Sequence, residues 1–244
     1  MAHFTQIHRV PDSISDENAI MIEPLSIGLH AVVNNFPSDD ETVLIIGAGT
    51  IGLCIIVVLR ALDSKANILG LARYTFQADA TRKLGASDVI LAKDIDVYDE
   101  IAKLTGGKIK TPKIGKRVFS GGADRTFECV GSSDAIDDAI RFTRSGGRVI
   151  LVGMPGITKG IDWTVVFAQE LTVQAATYYS NADKYKGKTW KSFELTIYLL
   201  KEGIINLDWM VTHVYSLEDY AKAFKILRTR EQSKAIKAVF SFRD

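Results

Sequence analysis

Cysteine is nearly absent from this sequence. Cys54 and Cys129 are the only two in 244 residues, and they lie far apart in apolar surroundings. That excludes a disulfide framework and a CxxC metal site, and it points to a reducing, cytoplasmic setting. Charge of one sign is missing too: 30 Lys and Arg against 29 Asp and Glu leave a net +1. Such balance argues against nucleic acid or a membrane surface as a partner. The opening "MAHFTQIHRV" has no apolar core, so no secretory signal is expected. No internal repeat or low-complexity tract interrupts the chain. Long apolar runs are missing with one exception, residues 43–59. Gly47, Gly49 and Gly52 break that run, and Arg60 and Asp63 follow it. It therefore predicts a buried strand, a turn and a buried helix rather than a membrane span.

What is present is alternation. "TVLII" (42–46) has the length and composition of a strand, and residues 50–62 those of the helix after it. Strands are predicted at 66–72, 87–92, 123–130, 147–153 and 170–177, with helices at 76–86, 96–106 and 133–144. Strands alternating with helices imply right-handed crossovers and a parallel sheet, an α/β doubly wound Rossmann fold with helices on both faces. The basic, turn-rich segment 107–122 reads as a solvated loop or hairpin. Residues 1–24 contain no crossover unit. After residue 180 the pattern predicts a long helical stretch (184–203), a short strand "MVTHVY", a helix "SLEDYAKAFKILRTR" and a last strand "AIKAVFSF". These end pieces are too few to enclose a core of their own. We divide the chain into 1–24, a dinucleotide-binding domain at 25–177, and 178–244.

The stretch "VLIIGAGTIGL" (43–53) carries a GxGxxG pattern between a strand and a helix. Gly47 permits the tight turn, Gly49 lets the backbone approach a pyrophosphate, and Gly52 lets helix and strand pack closely. The Thr50 and Ile51 amides then face the phosphates from the helix N-terminus. A glycine-bearing turn with no ligand would show the same letters, but the second strand at the right distance favours a dinucleotide. At the end of that second strand, where an acid would accept the ribose hydroxyls of NAD, the sequence reads "GLARYTF". Ala72 replaces the acid and Arg73 follows it. A guanidinium can bind a 2′-phosphate that an aspartate would repel. NADP is therefore expected, with NAD as the alternative.

Several motifs together resemble one family. They are "VPDSISDENAIMIEPLSIGLHAV" (10–32), "VLIIGAGTIGL", "RKLGASDVI", "FECVGS", "GGRVILVGMPG" and "VTHVYSLEDYAKAFKIL". The chain resembles the zinc-dependent medium-chain alcohol and polyol dehydrogenases, within them the threonine/sorbitol dehydrogenase-like branch. The resemblance implies hydride transfer between an alcohol and a nicotinamide, catalysed with zinc. It also implies that most of the N-terminal GroES-like catalytic domain, with its zinc ligands, is not in this chain. Residues 178–244 would belong with that domain.

The resemblance carries site residues over by position. Val130 and Gly131 match residues lining the adenosine and nicotinamide ribose side. Val152, Gly153 and Met154 match the strand end under the nicotinamide, and Ala176 and Thr177 match positions near the carboxamide. Glu23 matches an acidic zinc ligand of some members. It is read here as a carboxylate opening a helix, and as a ligand only in a full-length relative. Cys54 and Cys129 are read as buried hydrophobes, and His30 and His213 as structural. No zinc is expected on this chain. The implied partners are a dinucleotide, an alcohol or polyol in the full-length form, and a second copy of the chain paired through "ELTVQAAT". The leading reading is the NADP(H)-binding portion of such a dehydrogenase, without catalysis as this fragment. Two rivals are a non-catalytic dinucleotide-binding module and a zinc-free reductase. The acidic residue of "IEPLSIGLHA" argues against the reductase.

Overall fold

The computed structural model describes residues 7–93, 95–113 and 115–242. The expectation that no secretory signal is present falls partly on residues 1–6, outside this range. The chain opens with helices α1 (Asp16–Ala19) and α2 (Ile22–Val33). The alternating part follows: β1 (Thr42–Ile46), α3 (Thr50–Ala61), β2 (Asn67–Ala72), α4 (Thr75–Lys83), β3 (Asp88–Leu91) and α5 (Val97–Thr105). A hairpin of β4 (Lys108–Lys110) and β5 (Val118–Ser120) fills most of the basic segment. Then come β6 (Ala123–Glu128), α6 (Ser133–Phe142), β7 (Thr143–Leu151), α7 (Thr164–Ala168) and β8 (Thr172–Ala175).

Six of these strands form one sheet in the order β3-β2-β1-β6-β7-β8, and every pairing is parallel. The chain starts at β1, winds outward to β3, then returns to lay β6 on the other side of β1. That reversal makes the β1/β6 boundary the switch point of the sheet, where open α/β sheets take their ligands. The fold is the expected Rossmann architecture.

Period-two alternation divides the core. Val43 and Ile45 of β1 join Ile68, Phe127 and Ile150 in a cluster beneath α2 and α3. Leu44 and Ile46 point the other way, to Leu69, Val149, Ile140 and Phe142. A strand buried on both faces reads as a continuous apolar run, which is why "TVLII" shows no polar alternation. Local signals place the helix ends. Ser132 Oγ accepts the Ala135 amide at the start of α6, and Asp96 Oδ1 accepts the Tyr98 amide at the start of α5. Gly106 ends α5 in the left-handed region at φ 66°.

The C-terminal part corrects two expectations. Residues 184–203 are not one helical stretch. β9 (Asp183–Tyr185) and β10 (Lys188–Trp190) form an antiparallel hairpin, and only then does α8 (Ser192–Lys201) begin. Lys186 and Gly187 both take positive φ, 48° and 73°. That is the geometry a two-residue hairpin loop needs to match strand twist. Helix α8 packs against α2, and Leu195, Leu199 and Leu200 enter the cluster that holds Ile45 and Leu53. Next come β11 (Val211–Tyr215), α9 (Tyr220–Arg228), α10 (Arg230–Ser233) and β12 (Lys237–Phe240). β11 and β12 pair in parallel as a separate two-stranded sheet. The helix expected over 216–230 is interrupted at Thr229, whose φ −111° and ψ 44° leave the helical region. Among the described residues no helix is long and apolar enough to cross a membrane.

Candidate functional site

The site begins in the turn between β1 and α3. Gly47 has φ +98°, and a Cβ on it would stand 2.6 Å from Val130 Cγ2. Its amide donates to the Leu71 carbonyl at 3.2 Å, which fastens the turn to β2. A Cβ on Gly52 would lie 2.1 Å from the Gly47 carbonyl oxygen, so only glycine lets α3 sit this close to the turn. Gly49 precedes α3 and has open space where a Cβ would project. A backbone without a side chain in open space is what a closely approaching ligand requires. Thr50 and Ile51 form the first turn of α3, whose amides have no intrahelical carbonyl to bond. No acidic residue occupies that turn, so the helix dipole there is uncompensated. The Thr50 hydroxyl donates to the Ile236 carbonyl at 3.3 Å, tying the turn to the C-terminal segment.

The opposite wall is the end of β6. Here the structure shows a residue that sequence reasoning missed. Glu128 is fully buried, and its Oε1 accepts the amides of Val130 at 2.7 Å and Gly131 at 2.8 Å. Its backbone carbonyl accepts the Val152 and Gly153 amides, both at 2.8 Å. One residue therefore shapes the loops after both β6 and β7. The two loops pack too closely for side chains. A Cβ on Gly153 would be 2.3 Å from the Gly131 nitrogen, and one on Gly131 2.5 Å from the Met154 carbonyl oxygen. Burial pushes the Glu128 carboxyl above its usual range, while the Gly131 and Val130 amides partly offset it. The available signal was a carboxylate at the end of the apolar strand "TFECV".

Between these walls lies a cleft of about 580 Å³ at the carboxyl ends of β1, β2, β3 and β6. Gly47, Gly49, Arg73 and Val130 line it, together with Arg230 from α10. Among the described residues no Asp or Glu lines it. Arg73 is exposed, with its guanidinium carbon 5.5 Å from the Tyr74 ring centroid. Gln77 Oε1 accepts the Arg73 and Tyr74 amides, each at 3.3 Å, and so fixes the turn from β2 into α4. Thr50, Ile51 and Gly52 open α3 next to Gly49 and are not part of the lining itself. Gly131, Val152, Gly153 and Met154 gather at the next strand ends, away from the lining of this cleft. Ala176 sits one strand further, its amide on the Leu151 carbonyl at 2.9 Å. Met154 is 82% exposed, and Thr177 is exposed as well.

The residues considered for zinc do not come together. Glu23 is exposed in the first turn of α2. Burial pushes the Cys54 thiol up to about 12 and raises the Cys129 thiol, so neither is a ready thiolate ligand or nucleophile. His30 Nδ1 is 2.8 Å from Asp183 Oδ1, and His213 Nδ1 is 2.9 Å from the Thr212 hydroxyl. Among the described residues no three His, Cys, Asp or Glu groups could hold a metal. These side chains do not fit a zinc centre, and no step is assigned to one on this chain.

Comparisons with known proteins bear on the family and the fold. A zinc-binding dehydrogenase family model matches residues 50–194. L-idonate 5-dehydrogenase of Vitis vinifera is 30% identical over 238 residues, 96% of this chain and 58% of that protein. (R,R)-butanediol dehydrogenase of Neisseria gonorrhoeae is 29% identical over 213 residues, 87% of this chain and 53% of its own length. The crystal structure of 2R,3R-butanediol dehydrogenase from Bacillus subtilis is 25% identical with a TM-score of 0.71, covering 95% of this chain and 60% of that one. The chain thus spans a little over half the length of these relatives. With the family match extending over more than half of its residues, the chain belongs to the zinc-binding dehydrogenase family.

Proposed function

We propose that this chain is the NADP(H)-binding part of a zinc-type alcohol or polyol dehydrogenase, an enzyme that moves a hydride between an alcohol and the nicotinamide. The observation that carries this reading is the switch-point cleft, with Gly47, Gly49 and Gly52 at the head of α3 and Arg73 at the end of β2. When bound, the nicotinamide supplies the hydride donor or acceptor. The chain's own residues bind and orient it. The Thr50 and Ile51 amides receive the pyrophosphate, and Arg73 the ribose 2′-phosphate. Val130, Gly131, Val152, Gly153, Met154, Ala176 and Thr177 wall the nicotinamide half.

Residues 25–177 are the dinucleotide-binding unit in this reading. Residues 1–24 and 178–244 belong with the catalytic domain in this reading, while Ile14, Met21 and Ile22 of the first and Leu195, Leu199, Ile205 and Leu207 of the second join the core cluster of the sheet layer. Among the described residues the side chains do not form a zinc set, and we read the chain alone as not turning over alcohol. Glu23 serves as a ligand only in a full-length relative. The free Cys54 and Cys129 support a cytoplasmic location. β8 at the sheet edge supports pairing with a second copy.

The test is a titration of the chain with NADPH and NADH, followed by nucleotide fluorescence. Tighter NADPH binding is expected. Equal affinities would overturn the NADP assignment, and no binding of either would overturn the dinucleotide reading.

A further inference from the structure

The cleft holds a second arginine that comes from the far end of the chain. Arg230 lines it beside Gly49 and Arg73. Among the described residues, no carboxylate pairs with the guanidinium of either arginine, and no acid lines the cleft to neutralise them.

Two contacts place Arg230. Its neighbour Glu231 accepts from Lys93 Nζ at 3.0 Å, and Lys93 directly follows Ala92 at the carboxyl end of β3. The Ala92 amide in turn donates to the Ala72 carbonyl at 2.8 Å, next to Arg73. Further along, the Ile236 carbonyl accepts from the Thr50 hydroxyl. The segment 230–236 therefore crosses the cleft mouth from the end of β3 to the head of α3. Arg230 stands at the β3 end of this crossing, on the side of Arg73. The first-turn amides of α3 stand at the other end. A pyrophosphate is met by those amides, and an anion on the adenosine ribose is met by the two guanidinium groups.

We propose that Arg230 is a second specificity-determining residue of this cleft, binding the ribose 2′-phosphate of NADP jointly with Arg73. This rests on the NADP reading above. A phosphate monoester is close to dianionic at neutral pH, and two planar guanidinium forks can each engage it through paired N–H donors. The sequence signal is weak because Arg230 lies in the "RTREQSK" stretch, remote from the glycine motif.

The test uses the full chain and two fragments of the cofactor, 2′,5′-ADP and 5′-AMP, titrated by calorimetry. The variants are Arg230→Ala, Arg73→Ala and the double substitution, with circular dichroism to show that each folds. The expected result is that Arg230→Ala weakens 2′,5′-ADP by about tenfold, the low end for a charge-assisted contact, and leaves 5′-AMP unchanged. The double variant then binds both fragments alike. A wild-type preference for 2′,5′-ADP that Arg230→Ala leaves intact overturns the role of Arg230 but not the NADP reading. Equal loss for both fragments also overturns it, because Arg230 would then serve the 5′-phosphate. A wild-type chain that binds both fragments equally overturns the NADP reading, and the proposal with it.

Discussion

The Gly131 amide donates to Glu128 Oε1 at 2.8 Å, while the other carboxyl oxygen of Glu128 is buried without a hydrogen-bond partner among the described residues. The carboxyl thus holds a loop with one oxygen and carries a desolvation cost on the other. Glu128→Ala should remove the acceptor for two partly buried amides and destabilise the fold by about 1–3 kcal/mol. Glu128→Gln keeps a carbonyl oxygen in place and should restore most of that loss. Thermal melts of the two variants decide it, and equal destabilisation would show that the hydrogen bonds do not matter.

The same residue predicts a pH dependence. Its folded carboxyl is raised from 4.5, chiefly by burial. A raised carboxyl contributes stability at low pH that is lost as pH rises from the unfolded value through the folded one. Asp138 acts in the same direction, raised from 3.8 to about 6, chiefly by burial. The difference between wild-type and Glu128→Gln stability profiles isolates Glu128. That difference should change in Gln's favour as pH is raised above 4.5, and a flat difference would contradict it.

Gly49 and Gly52 lie three residues apart and should behave oppositely. Gly52→Ala places a methyl against the Gly47 carbonyl, backbone that has no room to move. It should cost about 3 kcal/mol or more and abolish nucleotide binding. Gly49→Ala meets open space at φ −86°. It should cost only about 1 kcal/mol in lost helix-cap preference, yet weaken NADPH by at least about tenfold because the methyl blocks the pyrophosphate's approach. Chemical denaturation and titration together separate the two effects.

Arg73→Ala should weaken NADPH by about 1–3 kcal/mol and leave NADH nearly unchanged. Equal losses for both cofactors would show that Arg73 does not read the phosphate.

Asp183 anchors the β9–β10 hairpin to α2. Burial alone would raise its carboxyl, but hydrogen bonds from His30, Ser192 and Asn34 hold it below 3.8. A depressed carboxyl contributes stability above its unfolded value and loses it as pH falls toward the folded one. Asp183→Ala should therefore destabilise by about 3 kcal/mol at neutral pH and lose less than wild type on acidification below 3.8. Melts across that range test both parts.

The parallel sheet was legible because strands buried on both faces leave long apolar runs, and Gly47, Gly49 and Gly52 mark the first crossover. The hairpin at 183–190 was not. The apolar spacing of "FELTIYLLK" drew the predicted helix forward over Lys186 and Gly187, whose positive φ values are a backbone property with little side-chain trace. Glu128 escaped because a lone acid in a strand gives no hint of which amides it will meet. Arg230 escaped for a related reason: only the folded chain brings α10 over the end of β3. Local pattern thus records the scaffold, while contacts between distant segments complete the site.

Cys54 sits at the centre of the packed layer, its Cβ 3.0 Å from where a Cβ on Gly28 would stand. Its thiol is fully buried and raised to about 12. An alkylating reagent at neutral pH can reach it only when the α2–α3 seam opens, so the alkylation rate measures how often that seam parts. The protein carries its own chronometer for core opening, readable by mass spectrometry without any engineered label.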